Sequence, residues 1–155
     1  MNDELFGKLS IISMKGCEDF SSQVDQYLTT WRGEESFLAP ADCPRFGSGE
    51  GKGLIKETMR GHDVYIICDV FNHGVTYKMY GQQVPMSPDD HYADLKRIIG
   101  AIAGKARRIT VFMPMLYEGR QHKRTTRESL DCAMALQELI NMGVSNIITF
   151  DAHDP

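Results

Sequence analysis

Nowhere in these 155 residues do about 18 apolar residues follow one another, so the sequence offers no membrane-spanning helix. The first ten residues carry neither a cationic start nor an apolar run, and no targeting segment is expected. Positive charge is scarce as well: 17 Lys and Arg against 21 Asp and Glu leave a formal charge of −4. That balance argues against broad nucleic-acid or membrane-surface binding and confines any anion site to a local basic cluster. The cysteines Cys17, Cys43, Cys68 and Cys132 lie far apart, with no C-x-x-C pair. Neither a disulfide framework nor structural zinc is expected, and the setting implied is a reducing cytoplasm. With 42% hydrophobic and 25% charged residues the composition is that of an ordinary globular chain, and the length suits one domain with a packed core.

The apolar pattern alternates between two periods. Leu9, Ile11 and Ile12 predict a short strand, and Gly16 then turns the chain into a helix from about Glu18. Phe20, Val24, Leu28 and Trp31 recur at helical spacing and are expected in the core or at its edge. Residues 33–44 read as loop, and residues 54–55 and 64–68 as strands, the second continuous enough for a parallel sheet. Residues 69–88 show no period and predict a long surface excursion. A helix follows from Ser87 and Pro88, with Tyr92, Leu95, Ile98, Ile99 and Ile102 on its apolar face and an end near Gly104. After a strand at 109–113 come a polar loop, a helix whose face includes Leu130, Met134, Leu136, Leu139 and Ile140, a cap at Gly143, and a strand at 144–150. Strands alternating with helices make an α/β domain with a mostly parallel sheet, whose ligands gather beyond the carboxyl ends of the strands.

Three stretches carry candidate chemistry. Arg120, Gln121, His122, Lys123, Arg124 and Arg127 form the local basic cluster, and Thr125-x-x-Glu128 predicts a capping box that opens the next helix there. Such a loop before a helix suits phosphate. The glycine-dense residues 45–53 lack the Walker spacing, since Phe46 and Gly53 stand where Gly and Ser or Thr are needed. They read either as a turn between strands or, through Phe46 and Glu50, as a surface that stacks on a purine and accepts from its amine. Asp151-x-His153 follows the last strand, where it either caps the strand or meets a divalent cation.

Four segments in register resemble the N-terminal half of ribose-phosphate diphosphokinase, also called phosphoribosyl diphosphate synthetase. They are Arg45-Phe46-Gly47-Ser48-Gly49-Glu50, Arg60-Gly61-His62-Asp63-Val64-Tyr65-Ile66, Arg120-Gln121-His122-Lys123-Arg124, and Ile147-Ile148-Thr149-Phe150-Asp151-Ala152-His153. The resemblance implies a phosphoribosyltransferase-like, three-layer α/β domain from a cytoplasmic, homo-oligomeric enzyme of nucleotide biosynthesis. That enzyme transfers the β,γ-diphosphoryl group of ATP to the 1-hydroxyl of ribose 5-phosphate with the help of Mg²⁺. It implies ATP binding by Phe46, Ser48, Gly49, Glu50, Arg120, Gln121 and His122, catalysis by Arg120, Gln121 and Lys123, and metal contact by His153 and Asp151. Ser48 stands where the family has Asp or Asn, and His122 where it has Asp. The family's ribose 5-phosphate motif, D-D-x-x-D-T, has no counterpart in these residues. Residues 1–155 are therefore expected to be an N-terminal domain without its C-terminal partner: the ATP- and Mg-binding half, incomplete on its own, with the sugar site in the absent half. The alternative is a non-catalytic regulatory or assembly partner of the same fold.

Overall fold

The computed structural model describes residues 6–102 and 104–154; the polar lead-in at 1–5 and the final Pro155 lie outside them. In chain order the elements are β1 (Leu9–Ser13), α1 (Glu18–Arg32), β2 (Ala41–Asp42), β3 (Leu54–Ile55), β4 (Asp63–Ile67), β5 (Thr76–Met79), β6 (Gln82–Pro85), α2 (Pro88–Ile102), β7 (Arg108–Phe112), α3 (Asp131–Asn141) and β8 (Asn146–Ile148). β1, β4, β7 and β8 pair in that order as one parallel sheet.

Because successive strand residues point to opposite faces, neighbouring isoleucines separate into two cores. Ile12, Val64, Ile66 and Val111 pack with Leu95, Ile98, Ile102 and Leu139 beneath α2 and α3. Ile11, Ile67 and Phe112 meet Val24 and Leu28 of α1 on the other face. The result is the expected helix–sheet–helix layering. Ile12, Leu95, Ile98 and Leu139 are fully buried, and each contributes roughly 1.5–3 kcal/mol by leaving water.

Local chemistry sets the helix ends. At α2 the Ser87 N–H donates to Asp90 Oδ2 (2.9 Å) and the Asp90 N–H donates to Ser87 Oγ (3.1 Å), a reciprocal capping box with Pro88 in the first turn. α1 stops at Gly33 (φ 65°), and Gly143 (φ 99°) follows the last residues of α3.

Four expectations need correcting. Trp31 is 75% exposed, because α1 leans on the sheet through Val24, Leu28 and the ring of Phe20, which stacks on Phe112 although part of it faces solvent, and the stripe's last residue lies beyond that contact. Met134 and Ile140 are likewise exposed; α3 buries Cys132, Ala135 and Leu139 instead. Within 33–44 the chain is not all loop: Leu38 bridges Ile11 of β1, with the Ile11 N–H donating to Phe37 O and the Ala39 N–H to Ile11 O, and Ala41–Asp42 form β2 against β3. Finally, 69–88 contains an ordered antiparallel hairpin, β5–β6, with Met79 opposite Gln82.

Candidate functional site

The glycine-dense stretch is a tight turn held from below. The Phe46 N–H donates to Glu50 O (2.7 Å) and the Gly49 N–H to Phe46 O (2.9 Å), with Gly49 in the left-handed region at φ 92°. Arg45 anchors this turn: its guanidinium donates to Gly49 O (3.2 Å) and to the buried Asp94 carboxylate of α2 (2.8 Å). Arg97 donates to the other oxygen of Asp94, so this buried acid is fully paired. The Phe46 side stays open to solvent, 56% exposed, and Ser48 Oγ donates to Glu50 Oε2 (2.8 Å). An aromatic face thus stands beside an acceptor that already has one donor.

The basic loop connects β7 to α3 without regular structure, and it corrects the capping expectation. α3 begins at Asp131, and its N-cap Leu130 has no side-chain cap bond. Thr125 and Thr126 donate their hydroxyls to Glu128 Oε1, while Gln121 donates to Glu128 Oε2 and to Ser129 O. Glu128 therefore organises the loop through its carboxylate instead of closing a helix turn, and these bonds hold its carboxyl below the ordinary range. Nδ1–H of His122 donates to Gly119 O (3.1 Å), and its Nε2 lies 3.0 Å from Asp154 Oδ2, with Lys123 3.8 Å from the same oxygen.

The chain beyond β8 runs alongside the chain beyond β7. The Asp151 N–H donates to Pro114 O and the Leu116 N–H to Asp151 O, which keeps the D-x-H segment at the carboxyl edge of the sheet. A cavity of about 300 Å³ opens there, and Phe71, Tyr117, Glu118, Arg120, Asp151 and His153 are among its walls. The His122 and His153 rings stand 5.7 Å apart at its margin. Structure thus brings together Arg120, Asp151 and His153, with His122 adjoining. Gln121 and Lys123 belong to the same loop but are engaged with Glu128 and Asp154. Phe46, Ser48, Gly49 and Glu50 are not among the walls of this cavity; their turn is held by Arg45 against α2 and by the β5–β6 hairpin.

Sequence reading overlooked Tyr117 and its support. Its ring stacks on Tyr92 (4.2 Å, 8°), and its hydroxyl donates to Asp89 Oδ1 (2.6 Å). Burial, then the Asp89 bond, push the Tyr117 hydroxyl well above its ordinary range. Burial also raises Glu118, with Asp131 and Asp89 adding to the effect. No spacing rule announces such a pair, since its members come from α2 and from the loop after β7.

Metal fit can be judged on donor chemistry. Among the described residues no group of three or more His, Cys, Asp or Glu side chains is placed to hold an ion. One carboxylate and one imidazole, Asp151 and His153, are a partial set. They suit a cation such as Mg²⁺ that arrives with phosphate oxygens and water, not one caged by protein.

Comparison with known proteins agrees with this architecture. Residues 9–143 match the family described as the N-terminal domain of ribose phosphate pyrophosphokinase. The chain is 32% identical over 120 residues to ribose-phosphate pyrophosphokinase 1 of Schizosaccharomyces pombe, covering 75% of this chain and 26% of that protein. It is 24% identical over 153 residues to ribose-phosphate pyrophosphokinase of Corynebacterium ammoniagenes, covering 97% of this chain and 42% of that one. Phosphoribosylpyrophosphate synthetase from Mycobacterium smegmatis shares the fold, with a TM-score of 0.74 at 19% identity over 94% of this chain and 43% of that one. The chain therefore spans less than half the length of these relatives. It belongs to the family of the N-terminal domain of ribose phosphate pyrophosphokinase.

Proposed function

We propose that this chain is the ATP- and Mg-binding half of a ribose-phosphate diphosphokinase. The observation that carries the reading is the convergence of Arg120, Asp151 and His153 on one cavity at the carboxyl edge of the sheet. In the whole enzyme the 1-hydroxyl of ribose 5-phosphate attacks the β-phosphorus of ATP. The bond from that phosphorus to its α-bridging oxygen breaks, and AMP leaves. Arg120 donates to phosphate oxygens as charge builds there; Gln121 and Lys123, once released from Glu128 and Asp154, extend that donor set. Asp151 and His153, the latter directly or through water, would hold Mg²⁺ together with phosphate oxygens, and the ion would supply charge neutralisation there. Phe46, Ser48, Gly49 and Glu50 receive adenine, with His122 toward the phosphates. That Phe46, Ser48, Gly49 and Glu50 lie outside the walls of the Arg120 cavity supports a reading in which ATP spans two copies and the working form is a homo-oligomer. The sugar site belongs to a second domain of the kind that the relatives' greater length accommodates. A cytoplasmic setting is part of the same reading, supported by four free cysteines.

A second reading, a non-catalytic regulatory or assembly partner, draws on Gln121, His122 and Lys123 being occupied by Glu128, Gly119 and Asp154. Titration with Mg·ATP at protein concentrations above and below self-association separates the two. Binding only by the associated form is expected. Tight binding by a monomer would contradict the two-copy site, and no binding in either state favours the regulatory partner. Where turnover is measurable, Arg120→Ala should lower AMP formation about 100-fold, as loss of a transition-state donor does.

A further inference from the structure

The β5–β6 hairpin carries an anomaly. Met79 pairs with Gln82, which leaves Tyr80 and Gly81 as a two-residue loop, and both have positive φ, 50° and 79°. A turn of this type calls for Asn or Gly at its first position, because a bulky side chain there is strained. Yet the residue is tyrosine, and it is 79% exposed, so no packing compensates for the strain. Backbone outliers whose side chain is left unpacked point toward function.

Its surroundings give that function a direction. The Tyr80 N–H donates to Gly47 O (2.8 Å), which ties the hairpin tip to the residue next to Phe46. Three further contacts hold the hairpin. The Arg45 guanidinium lies over the Tyr77 ring (4.6 Å), and a Cβ on Gly49 would fall 2.9 Å from Met79 Sδ, so the turn and the hairpin are in close contact. Tyr77 OH donates to Asp90 at the start of α2 (3.4 Å). Two exposed aromatic residues, Phe46 and Tyr80, are therefore carried on two turns that a backbone hydrogen bond joins at Gly47, between Phe46 and Ser48 in the chain.

We propose that Tyr80 is the second aromatic wall of the base site that Phe46 begins, so that a purine nucleotide is held between two rings with Ser48 and Glu50 at its edge. This rests on the adenine role given above to Phe46. A fixed hairpin suits such a wall, because a base stacks on it without first having to order a loop.

The test exploits opposite signs. Tyr80→Asn supplies the residue that the turn prefers, so the melting temperature should rise by about 2–4 °C, while the affinity for Mg·ATP, by calorimetric titration of the associated protein, should fall roughly tenfold. Tyr80→Phe should keep wild-type affinity. Phe46→Ala serves as the reference, and sedimentation of each variant reports association. If Phe46→Ala weakens binding and Tyr80→Asn does not, the second wall is refuted and the Phe46 site stands. If neither variant changes the affinity, or the protein binds no ATP, the base site itself is refuted and Tyr80 with it. If Tyr80→Asn loses affinity only in step with lost association, Tyr80 is a contact between copies and the proposal fails.

Discussion

Single side chains decide much of what can be measured. His62 accepts from Ser10 Oγ at Nδ1 (2.8 Å) when neutral, and burial first, then the Lys8 charge, lower its pKa from the usual 6.5. The unfolded chain then binds the proton more readily, so this stability term is complete above pH 6.5 and is lost as pH falls through the lower folded value. Urea midpoints measured from pH 7.5 downward should decline more steeply for the wild type than for His62→Gln, and parallel curves would remove the assignment. Gly53 offers a steric case: a Cβ there would lie 2.2 Å from Arg97 O, a backbone atom of α2 that cannot swing away. Gly53→Ala should cost about 1–3 kcal/mol, as overpacking does, read as a lower urea midpoint at unchanged slope. At this scale the sequence was legible where residue type dictates environment, as for Ile12 and Leu95. It misled at Trp31 and Met134, because helical spacing says which residues share a face and not how much of that face is covered.

At the scale of elements, capping chemistry is the most local signal and gave both a correct and an incorrect reading. Ser87 and Asp90 bond reciprocally at the start of α2, whereas Thr125 and Glu128 share the same spacing but bond to each other ahead of α3. Only the backbone N–H partners distinguish the two, and a sequence does not display them. Ser87→Ala should therefore destabilise by about 1 kcal/mol, the usual worth of such a cap. Thr125→Ala should leave global stability within ~0.5 kcal/mol, as surface substitutions do; equal losses in thermal unfolding would argue against the distinction. The four strands of the parallel sheet were legible because apolar, β-branched runs favour buried parallel strands. The β5–β6 hairpin was not, because its loop is Tyr80-Gly81 and not the Asn-Gly that announces such turns. The basic loop and the D-x-H segment were each visible as motifs, but their meeting depends on chain beyond β7 pairing with chain beyond β8.

For the molecule as a whole, the two faces of the sheet are unequally covered. α2 and α3 close one, while α1 leaves on the other a groove of about 660 Å³ lined by Phe20, Phe112, Ile148 and Phe150, the last 75% exposed. Exposed apolar area of this kind attracts a hydrophobic dye, so dye fluorescence should be high in the folded protein and clearly lower in Phe150→Ser; equal signals would contradict the groove as the source. The buried thiols have a different consequence. Cys17 is pushed up to about 11 and Cys43 to about 12, and burial also raises Cys68 and Cys132, so at neutral pH all four are protonated and shielded. They sit on different elements, ahead of α1, before the glycine-dense turn, at the end of β4 and inside α3, but the first three converge: the Asp69 N–H beside Cys68 donates to Cys17 Sγ, and Cys43 and Cys68 share one core against α2. The rate at which each thiol becomes labelled is therefore a clock for local opening, Cys132 timing α3 and the other three timing the region where α1, β4 and α2 meet, without a single engineered probe.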